Sequence, residues 1–116
     1  MSPEEIVNAF IAAIEAKDID TAMSMVSETI SYENVPMAPI SGRENVAATL
    51  DAFLTPVSNI DWQILNQWAI GRTVINERLD RFQFDNGWLE MPVAGIFEID
   101  DNDQIVLWRD YFDLNT

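Results

Sequence analysis

The segment Leu107-Trp108-Arg109-Asp110-Tyr111-Phe112-Asp113-Leu114 constrains the fold more than any other stretch of this sequence. Side chains alternate between the two faces of a β-strand. A strand here therefore has one face formed by Val106, Trp108, Asp110, Phe112 and Leu114. Four of these five side chains are large and apolar, which predicts that the rest of the protein covers this face. Asp110 is then a carboxyl group in apolar surroundings, where an unpaired charge is costly.

Length and charge limit the classes of function. With 116 residues the chain is long enough for one domain with a sizeable core, so we predict a single domain over residues 1–116. The formal charge of −14, from 20 acidic and 6 basic residues, disfavours nucleic acids, anionic membrane surfaces and multiply charged ligands. A small neutral ligand fits this charge best. Because the sequence has no signal peptide and no apolar run of membrane length, we predict a cytoplasmic protein.

Two residue types are absent. The chain has no Cys, which excludes disulfides, thiolate nucleophiles and thiolate metal sites. It has no His, which excludes Ser-His and Cys-His triads, HExxH zinc sites and the commonest general base. Acid–base chemistry in this protein must therefore use Asp, Glu, Tyr, Lys or a bound cofactor.

Three helices are predicted in the first half of the chain. Ser2-Pro3-Glu4-Glu5 combines an N-cap, a proline at the first helical position and a capping box, and Ile6, Phe10 and Ile14 follow at helical spacing. That spacing indicates a helix of about four turns. A second, shorter helix begins at Asp18 and continues through Met23 and Val26. Ser41-Gly42-Arg43-Glu44 repeats the capping box and predicts a third helix, with the stripe Val46, Leu50 and Leu54, ending near Pro56.

Strands dominate the second half. A first extended segment, Thr29–Val35, precedes the third helix, and the later strands are Ile60–Ile70, Thr73–Phe84, Trp88–Ile99 and Gln104–Asp113. Gly71-Arg72 and Asp85-Asn86-Gly87 are the turns of two hairpins. Gly95 lies within a strand and indicates a bend or bulge. Helices followed by hairpin-linked strands predict an α+β fold, with the helices across the concave face of a curved antiparallel sheet that encloses a pocket.

Charged residues occur on both faces of the predicted strand Thr73–Phe84. Arg78 and Asp80 share a face with Val74 and Phe82, because they are separated by even numbers of residues. Glu77 and Arg81 lie on the opposite face and form a solvated pair in this interpretation. With Asp110 from the last strand, Arg78 and Asp80 would form a carboxylate–guanidinium–carboxylate array.

The charge of this array is informative. Two ionised aspartates and one arginine carry one net negative charge, and a single shared proton makes the set neutral. Burial favours the neutral set, so one aspartate would be an acid and the other a base near neutral pH. Raising the pKa of an aspartate from about 3.9 to about 7 takes roughly 4 kcal/mol, which desolvation can supply.

Three segments together resemble a known family. They are Tyr32-Glu33-Asn34-Val35-Pro36, Arg78-Leu79-Asp80 and Trp108-Arg109-Asp110-Tyr111-Phe112-Asp113, in this order along the chain. This collinear set is similar to that of the limonene-1,2-epoxide hydrolase family and covers nearly the whole chain. The resemblance implies a cone-shaped α+β fold with a curved antiparallel or mixed sheet, shared with nuclear transport factor 2 and ketosteroid isomerase. It also implies a homodimer.

The same resemblance implies a role for each site residue. Asp110 would be the general base acting on a water that Tyr32 and Asn34 also hold. Asp80 would protonate the epoxide oxygen, and Arg78 would bridge the two carboxyl groups. This mechanism requires no metal and no cofactor, in agreement with the absence of His and Cys.

The sequence therefore predicts an epoxide hydrolase that adds water in one step to a small apolar epoxide, such as a cyclic terpene epoxide, to give a vicinal diol. One alternative is an isomerase or cyclase of the same fold, which would move a proton with one aspartate. The other is a non-catalytic binding module, whose pocket would need no charged array. We expect the remaining large side chains Trp62, Trp68, Trp88, Met37 and Met91 to lie in the core or the pocket wall.

Overall fold

A computed structural model of the protein describes residues 1–113. Its helices are α1 (Pro3–Glu15), α2 (Ile19–Ser24) and α3 (Arg43–Leu54). Its strands are β1 (Val26–Val35), β2 (Ile40–Ser41), β3 (Asn59–Ile70), β4 (Thr73–Phe84), β5 (Gly87–Ile99) and β6 (Ile105–Phe112). Within residues 1–113 no helix is both long enough and apolar enough to span a membrane. Leu114, which we predicted on the covered face of the last strand, lies outside the described residues.

All strands belong to one curved sheet in the order β2-β1-β6-β5-β4-β3. Only the pair β1–β6 is parallel among the described pairs, so the sheet is mixed. The helices pack on its concave face, which we call the inner face; the opposite one is the outer face. This architecture confirms the predicted α+β class, and the predicted hairpins β3–β4 and β4–β5 are both present.

Helix α1 begins as the sequence predicts. The backbone N–H of Glu5 donates to Ser2 Oγ at 3.2 Å, and the N–H of Ser2 donates to Glu5 Oε1 at 2.8 Å. The apolar stripe of the helix then packs on the inner face, where the Phe10 ring meets Trp108 edge-on at 5.0 Å between centroids. Trp108 is fully buried, so the face that the sequence predicted to be covered is covered by α1.

Two predicted helix boundaries are wrong. Helix α2 ends at Ser24, and Val26 is the first residue of β1 rather than part of the helix. Helix α3 has no capping box, because Ser41 pairs with Ser31 in the β1–β2 ladder. Gly42 is the N-cap instead, with no side-chain hydrogen bond and a φ of 91°, a conformation that favours glycine.

Two β-bulges change which side chains face inward. In β6 the extra residue is Val106, because Glu98 pairs with Leu107 and Ile99 with Ile105. Ile105, and not Val106 as predicted, therefore contributes to the core.

In β3 the extra residue is Leu65, so that Ile64 pairs with Arg78 but Asn66 pairs with Glu77. Simple alternation would have put Trp68 on the inner face with Trp62; the bulge turns Trp68 outward, where it is 53% exposed. Trp88 also lies on the outer face, opposite Gln83, and is exposed. The expectation of a core or pocket-wall position holds for Trp62, Met37 and Met91 and is wrong for these two tryptophans.

Candidate active site

An apolar cavity of about 280 Å³ lies between α3 and the inner face of the sheet. Its walls are mostly aliphatic and aromatic side chains from α3, the strands and the loop between β1 and β2: Met37, Leu50, Phe53, Leu54, Trp62, Phe82, Leu89, Met91, Val93 and Phe112. The polar side chains that line it are Tyr32, Asn34, Thr49, Asp80 and Asp110. Four of these five belong to the predicted site, so the site opens into the cavity.

Arg78 connects the two aspartates. Its Nε donates to Asp80 Oδ1 and its Nη2 donates to Asp80 Oδ2, both at 3.0 Å. The same Nη2 donates to Asp110 Oδ2 at 3.0 Å. The structure thus contains the array that the spacing predicted, with Arg78 and Asp80 on β4 and Asp110 two strands away on β6.

Burial controls the electrostatics of this array. Arg78 is 1% exposed, Asp80 2% and Asp110 4%. Burial raises the pKa of both aspartates, and the positive charge of Arg78 only partly opposes this effect. Burial also disfavours the charged guanidinium, but the negative charges of Asp110 and Asp80 raise the pKa of Arg78 overall. One permanent cation therefore lies between two carboxyl groups that bind protons more readily than free aspartate does.

Tyr32 and Asn34 reach the same cavity from β1. The parallel register pairs Tyr32 with Trp108 and Asn34 with Asp110. The Tyr32 ring stacks on Trp108 at 3.9 Å between centroids, which fixes the position of its hydroxyl group. Burial, with the nearby charge of Asp110, raises the pKa of Tyr32, so its hydroxyl stays protonated and able to donate. The structure brings together all five residues that the sequence predicted.

Sequence reasoning missed a sixth polar residue, Asn76. It is 1% exposed on the inner face of β4, and its Oδ1 accepts from Arg78 Nη1 at 2.9 Å. Its Nδ2 donates to Gln67 Oε1 at 3.1 Å. The signal was available, because Asn76 lies midway between Val74 and Arg78 in the register that places Arg78 and Asp80 on one face.

Gly95 marks no bulge, although a bend or bulge was predicted here. It pairs in unbroken register with Asn76 on one side and Asp110 on the other. A Cβ atom added at Gly95 would lie 2.3 Å from Arg78 Nη1 and 2.8 Å from Asn76 Oδ1. The glycine is therefore required because the guanidinium passes directly over its backbone.

The predicted solvated pair between Glu77 and Arg81 is also wrong. Both side chains lie on the outer face, but Glu77 accepts from Asn66, and Arg81 binds Asp61 and Glu90 instead. Cross-strand neighbours are closer than residues four apart on one strand, so each side chain pairs across the sheet. Among residues 1–113 no group of three or more carboxyl side chains lies close enough to hold a metal ion.

Comparisons with known proteins show the family of this chain. A family model described as the limonene-1,2-epoxide hydrolase catalytic domain matches residues 1–116. The chain is similar to Epoxide hydrolase EphG of Mycobacterium tuberculosis (strain ATCC 25618 / H37Rv), with 34% identity over 93% of this chain and 71% of the relative.

Two solved structures are similar to this chain. A limonene-epoxide-hydrolase-like epoxide hydrolase from M. tuberculosis superposes with a TM-score of 0.86 and 33% identity, over 96% of this chain and 82% of that one. A cystatin-fold protein from Novosphingobium aromaticivorans superposes with a TM-score of 0.84 over 95% of this chain and 97% of that one. Its identity is 19%, so this second likeness concerns the fold alone.

Proposed function

This chain belongs to the limonene-1,2-epoxide hydrolase family, and on that premise we propose that it is a cofactor-independent epoxide hydrolase. In this proposal it adds water in one step to a small apolar epoxide and releases a vicinal diol. The observation that carries the proposal is the buried array in which Arg78 Nη2 contacts both Asp80 and Asp110 at the polar end of an apolar cavity.

We assign Asp110 as the general base. Its cross-strand partner is Asn34 on β1, and Tyr32 lies two residues before Asn34 on that strand. A water beside Asp110 would therefore lie near the amide of Asn34 and the protonated hydroxyl of Tyr32. Asp110 Oδ2 is bound by Arg78, whereas Oδ1 has no hydrogen-bond partner among residues 1–113. In this assignment the Asp110 carboxylate, which lines the cavity, accepts the proton of water.

We assign Asp80 as the general acid. It lies on β4 between the cross-strand neighbours Trp62 and Met91, where apolar surroundings favour the neutral carboxyl group. Water attacks a ring carbon and gives its proton to Asp110 while the carbon–oxygen bond breaks and Asp80 protonates the leaving oxygen. The pair holds one proton before and after this step, and the proton returns to Asp80 before the next turnover.

Arg78 stabilises either distribution of that proton. Because Nη2 donates to an oxygen of each aspartate, the cation stays beside the negative charge whichever carboxyl group is ionised. Concerted proton transfer also avoids a buried alkoxide next to two carboxyl groups, which would be costly.

The cavity supports a neutral and apolar substrate class. Among residues 1–113, and apart from the site residues, the hydroxyl or amide side chain that lines the cavity is Thr49, whose hydroxyl already donates to the carbonyl of Asn45. A charged or multiply hydroxylated epoxide would lose hydration without compensation. Cyclic terpene epoxides and similar compact hydrocarbon epoxides have the required character.

The experiment is a panel of neutral epoxides, including cyclic terpene oxides, assayed for diol by mass spectrometry with a metal chelator present. We expect the wild type to hydrate at least one apolar epoxide of the panel. The Asp110→Asn variant should not hydrate that epoxide. Matched epoxides that carry a carboxylate serve as controls and should not react. Hydration of the charged members alone, or none at all, would contradict the proposal.

A homodimer and a cytoplasmic location remain part of the proposal. The outer face of the sheet presents exposed apolar side chains, among them Leu65, Trp68, Ile70 and Tyr111, that a second copy would cover. A standard interface buries about 800 Å² on each partner. Light scattering after size-exclusion chromatography should give a molar mass of twice that of the chain for the wild type, and a lower mass for Trp68→Glu. A monomeric wild type would contradict the proposed homodimer.

A further inference from the structure

A line of amide side chains connects the buried array to the surface. It begins at Arg78 Nη1, which donates to Asn76 Oδ1, and continues from Asn76 Nδ2 to Gln67 Oε1. Gln67 Nε2 then donates to Oδ1 of Asn8 at 3.0 Å, on the exposed side of α1. We call Asn76, Gln67 and Asn8 the amide relay.

The orientation of each amide follows from the first donor. A guanidinium only donates, so the oxygen of Asn76 must face Arg78 and its nitrogen must face an acceptor. That acceptor is the oxygen of Gln67, which leaves the nitrogen of Gln67 facing Asn8. The hydrogen bonds of the relay can therefore run in one direction only, from Arg78 towards Asn8. This direction fixes the orientation of the Asn76 amide against Arg78.

The bulge in β3 makes this relay possible. With Leu65 as the extra residue, Gln67 pairs with Asn76 and lies on the inner face. Without the bulge, alternation from Trp62 would place Asn66 and Trp68 there instead. An irregularity of the sheet therefore has a direct consequence for the site.

The side chains of Asn76, Asp80 and Asp110 hold the guanidinium of Arg78. Of its five N–H donors, one contacts Asn76, and three contact Asp80 and Asp110. The backbone of Gly95 lies so close that no side chain fits between it and Nη1. Removing the Asn76 contact would free the one edge of the guanidinium that no carboxyl group holds.

We propose that Asn76, oriented by Gln67, is a positioning residue for the reaction. It keeps the guanidinium of Arg78 where it bridges both carboxyl groups. Because its amide is neutral, it leaves the array with two carboxyl groups and one cation, a set that a single shared proton neutralises. The inference rests on the proposed function in one respect only: the reaction whose rate it affects is epoxide hydration.

The sharpest test adds a charge without changing the shape. Asn76→Asp retains an acceptor for Arg78 but introduces a third carboxyl group into the array. Since like charges favour protonation, the acid limb of the kcat profile should move up by about one pH unit, with KM nearly unchanged. Arg78, Tyr32 and, on α1, Glu15 are the other titratable groups near the pair.

A second measurement separates this inference from the proposed function. Carbon-13 NMR of aspartate carboxyl groups in the free protein should show that Asn76→Asp raises the apparent pKa values of the pair. This holds even if the wild type hydrates no epoxide, a result that would overturn the function alone. Unchanged carboxyl titration together with an unchanged pH profile would overturn the role of Asn76.

A third comparison covers the case in which Asn76→Asp fails to fold. Gln67→Leu leaves the nitrogen of Asn76 without its acceptor and should lower kcat about three- to tenfold with KM unchanged. Asn66→Leu, one residue earlier and on the outer face, is the matched control and should retain wild-type kcat. Equal kcat values for these two variants would contradict the relay.

Discussion

Two arginines on β4, three positions apart, each lie between two carboxyl groups. Arg78 is on the inner face, and its side chain has no exposed surface. Arg81 is on the outer face and keeps 26% of its side chain exposed. The distances are similar, since Arg81 contacts Asp61 Oδ2 at 2.8 Å and Glu90 Oε2 at 2.9 Å.

The carboxyl groups of these two arrays respond in opposite ways. Burial raises the pKa of Asp80 despite two hydrogen bonds from Arg78. At the surface, hydrogen bonds from Gln63 and Arg81 lower the pKa of Asp61. The pattern of one arginine between two acids therefore does not make a catalytic site. In the proposed function, removal from water distinguishes the inner array, because burial favours the protonated form of its carboxyl groups.

The largest expected difference between the arrays is in turnover. Asp110→Asn keeps the shape of the base but cannot accept a proton, so kcat/KM for the epoxide should fall by about 10²–10⁴. Asp61→Asn makes the same change in the outer array and should leave kcat/KM unaltered. Circular dichroism would check that both variants fold. An Asp110→Asn protein with more than about a tenth of wild-type turnover would show that Asp110 is not the base.

The acid should behave as part of the same unit. Asp80→Asn cannot protonate the opening oxygen and should lose as much turnover as Asp110→Asn. The double variant should be scarcely worse than either single variant, because the two residues act together. Glu90→Gln is the control from the outer array. If the two single losses multiplied in the double variant, the aspartates would act independently.

The arginines should differ in their contribution to stability. Arg78→Met leaves two buried carboxyl groups without their cation, and breaking a buried ion pair costs about 3–5 kcal/mol of unfolding free energy at neutral pH. Arg81→Met exposes its partners to water and should have a far smaller effect. Urea unfolding of both variants measures the difference. Equal losses would mean that burial does not distinguish the arrays.

The smallest expected effect is the opposite pH dependence of stability. The raised pKa of Asp110 means that its contribution is present below about pH 4, the unfolded value, and is lost as pH rises through the folded pKa. The lowered pKa of Asp61 means that its contribution is present above about pH 4 and is lost on acidification.

Urea midpoints of the wild type, Asp110→Asn and Asp61→Asn between about pH 3.5 and pH 7 would reveal both trends. Relative to Asp110→Asn the wild type should lose stability with rising pH, and relative to Asp61→Asn it should gain it. Trends of the same sign would remove the contrast between the arrays.

Many strands and turns of this protein could be predicted from the sequence, because the alternation of side chains and the residue preferences of turns depend on neighbouring residues only. The strand Thr73–Phe84 has the predicted bounds, and the turn at Gly87 has the positive φ of 127° that favours glycine. The pairing of Arg78 with Asp80 could also be predicted, because two residues that are two positions apart on a strand lie on the same face. What alternation could not predict were the bulges at Leu65 and Val106, which depend on pairing between strands.

The errors at the site have the same cause. Gly95 was interpreted as a local irregularity, but it is required by a guanidinium from the neighbouring strand. Asn76 could have been found from its register, yet its partner Gln67 faces inward only because of the bulge. The outward turn of Trp68 follows from the same bulge. Contacts between strands, rather than propensities within them, determine these details.

In the proposed mechanism, water attacks the epoxide directly. The alternative is an ester formed by a carboxylate, whose hydrolysis usually needs a further base, often His, and this chain has no His. A single turnover with enzyme in excess, in water labelled with oxygen-18, distinguishes the two. Direct attack predicts that the diol of the first turnover carries the label and that the protein gains none. An unlabelled first diol, with the label found in Asp110 or Asp80, would contradict it.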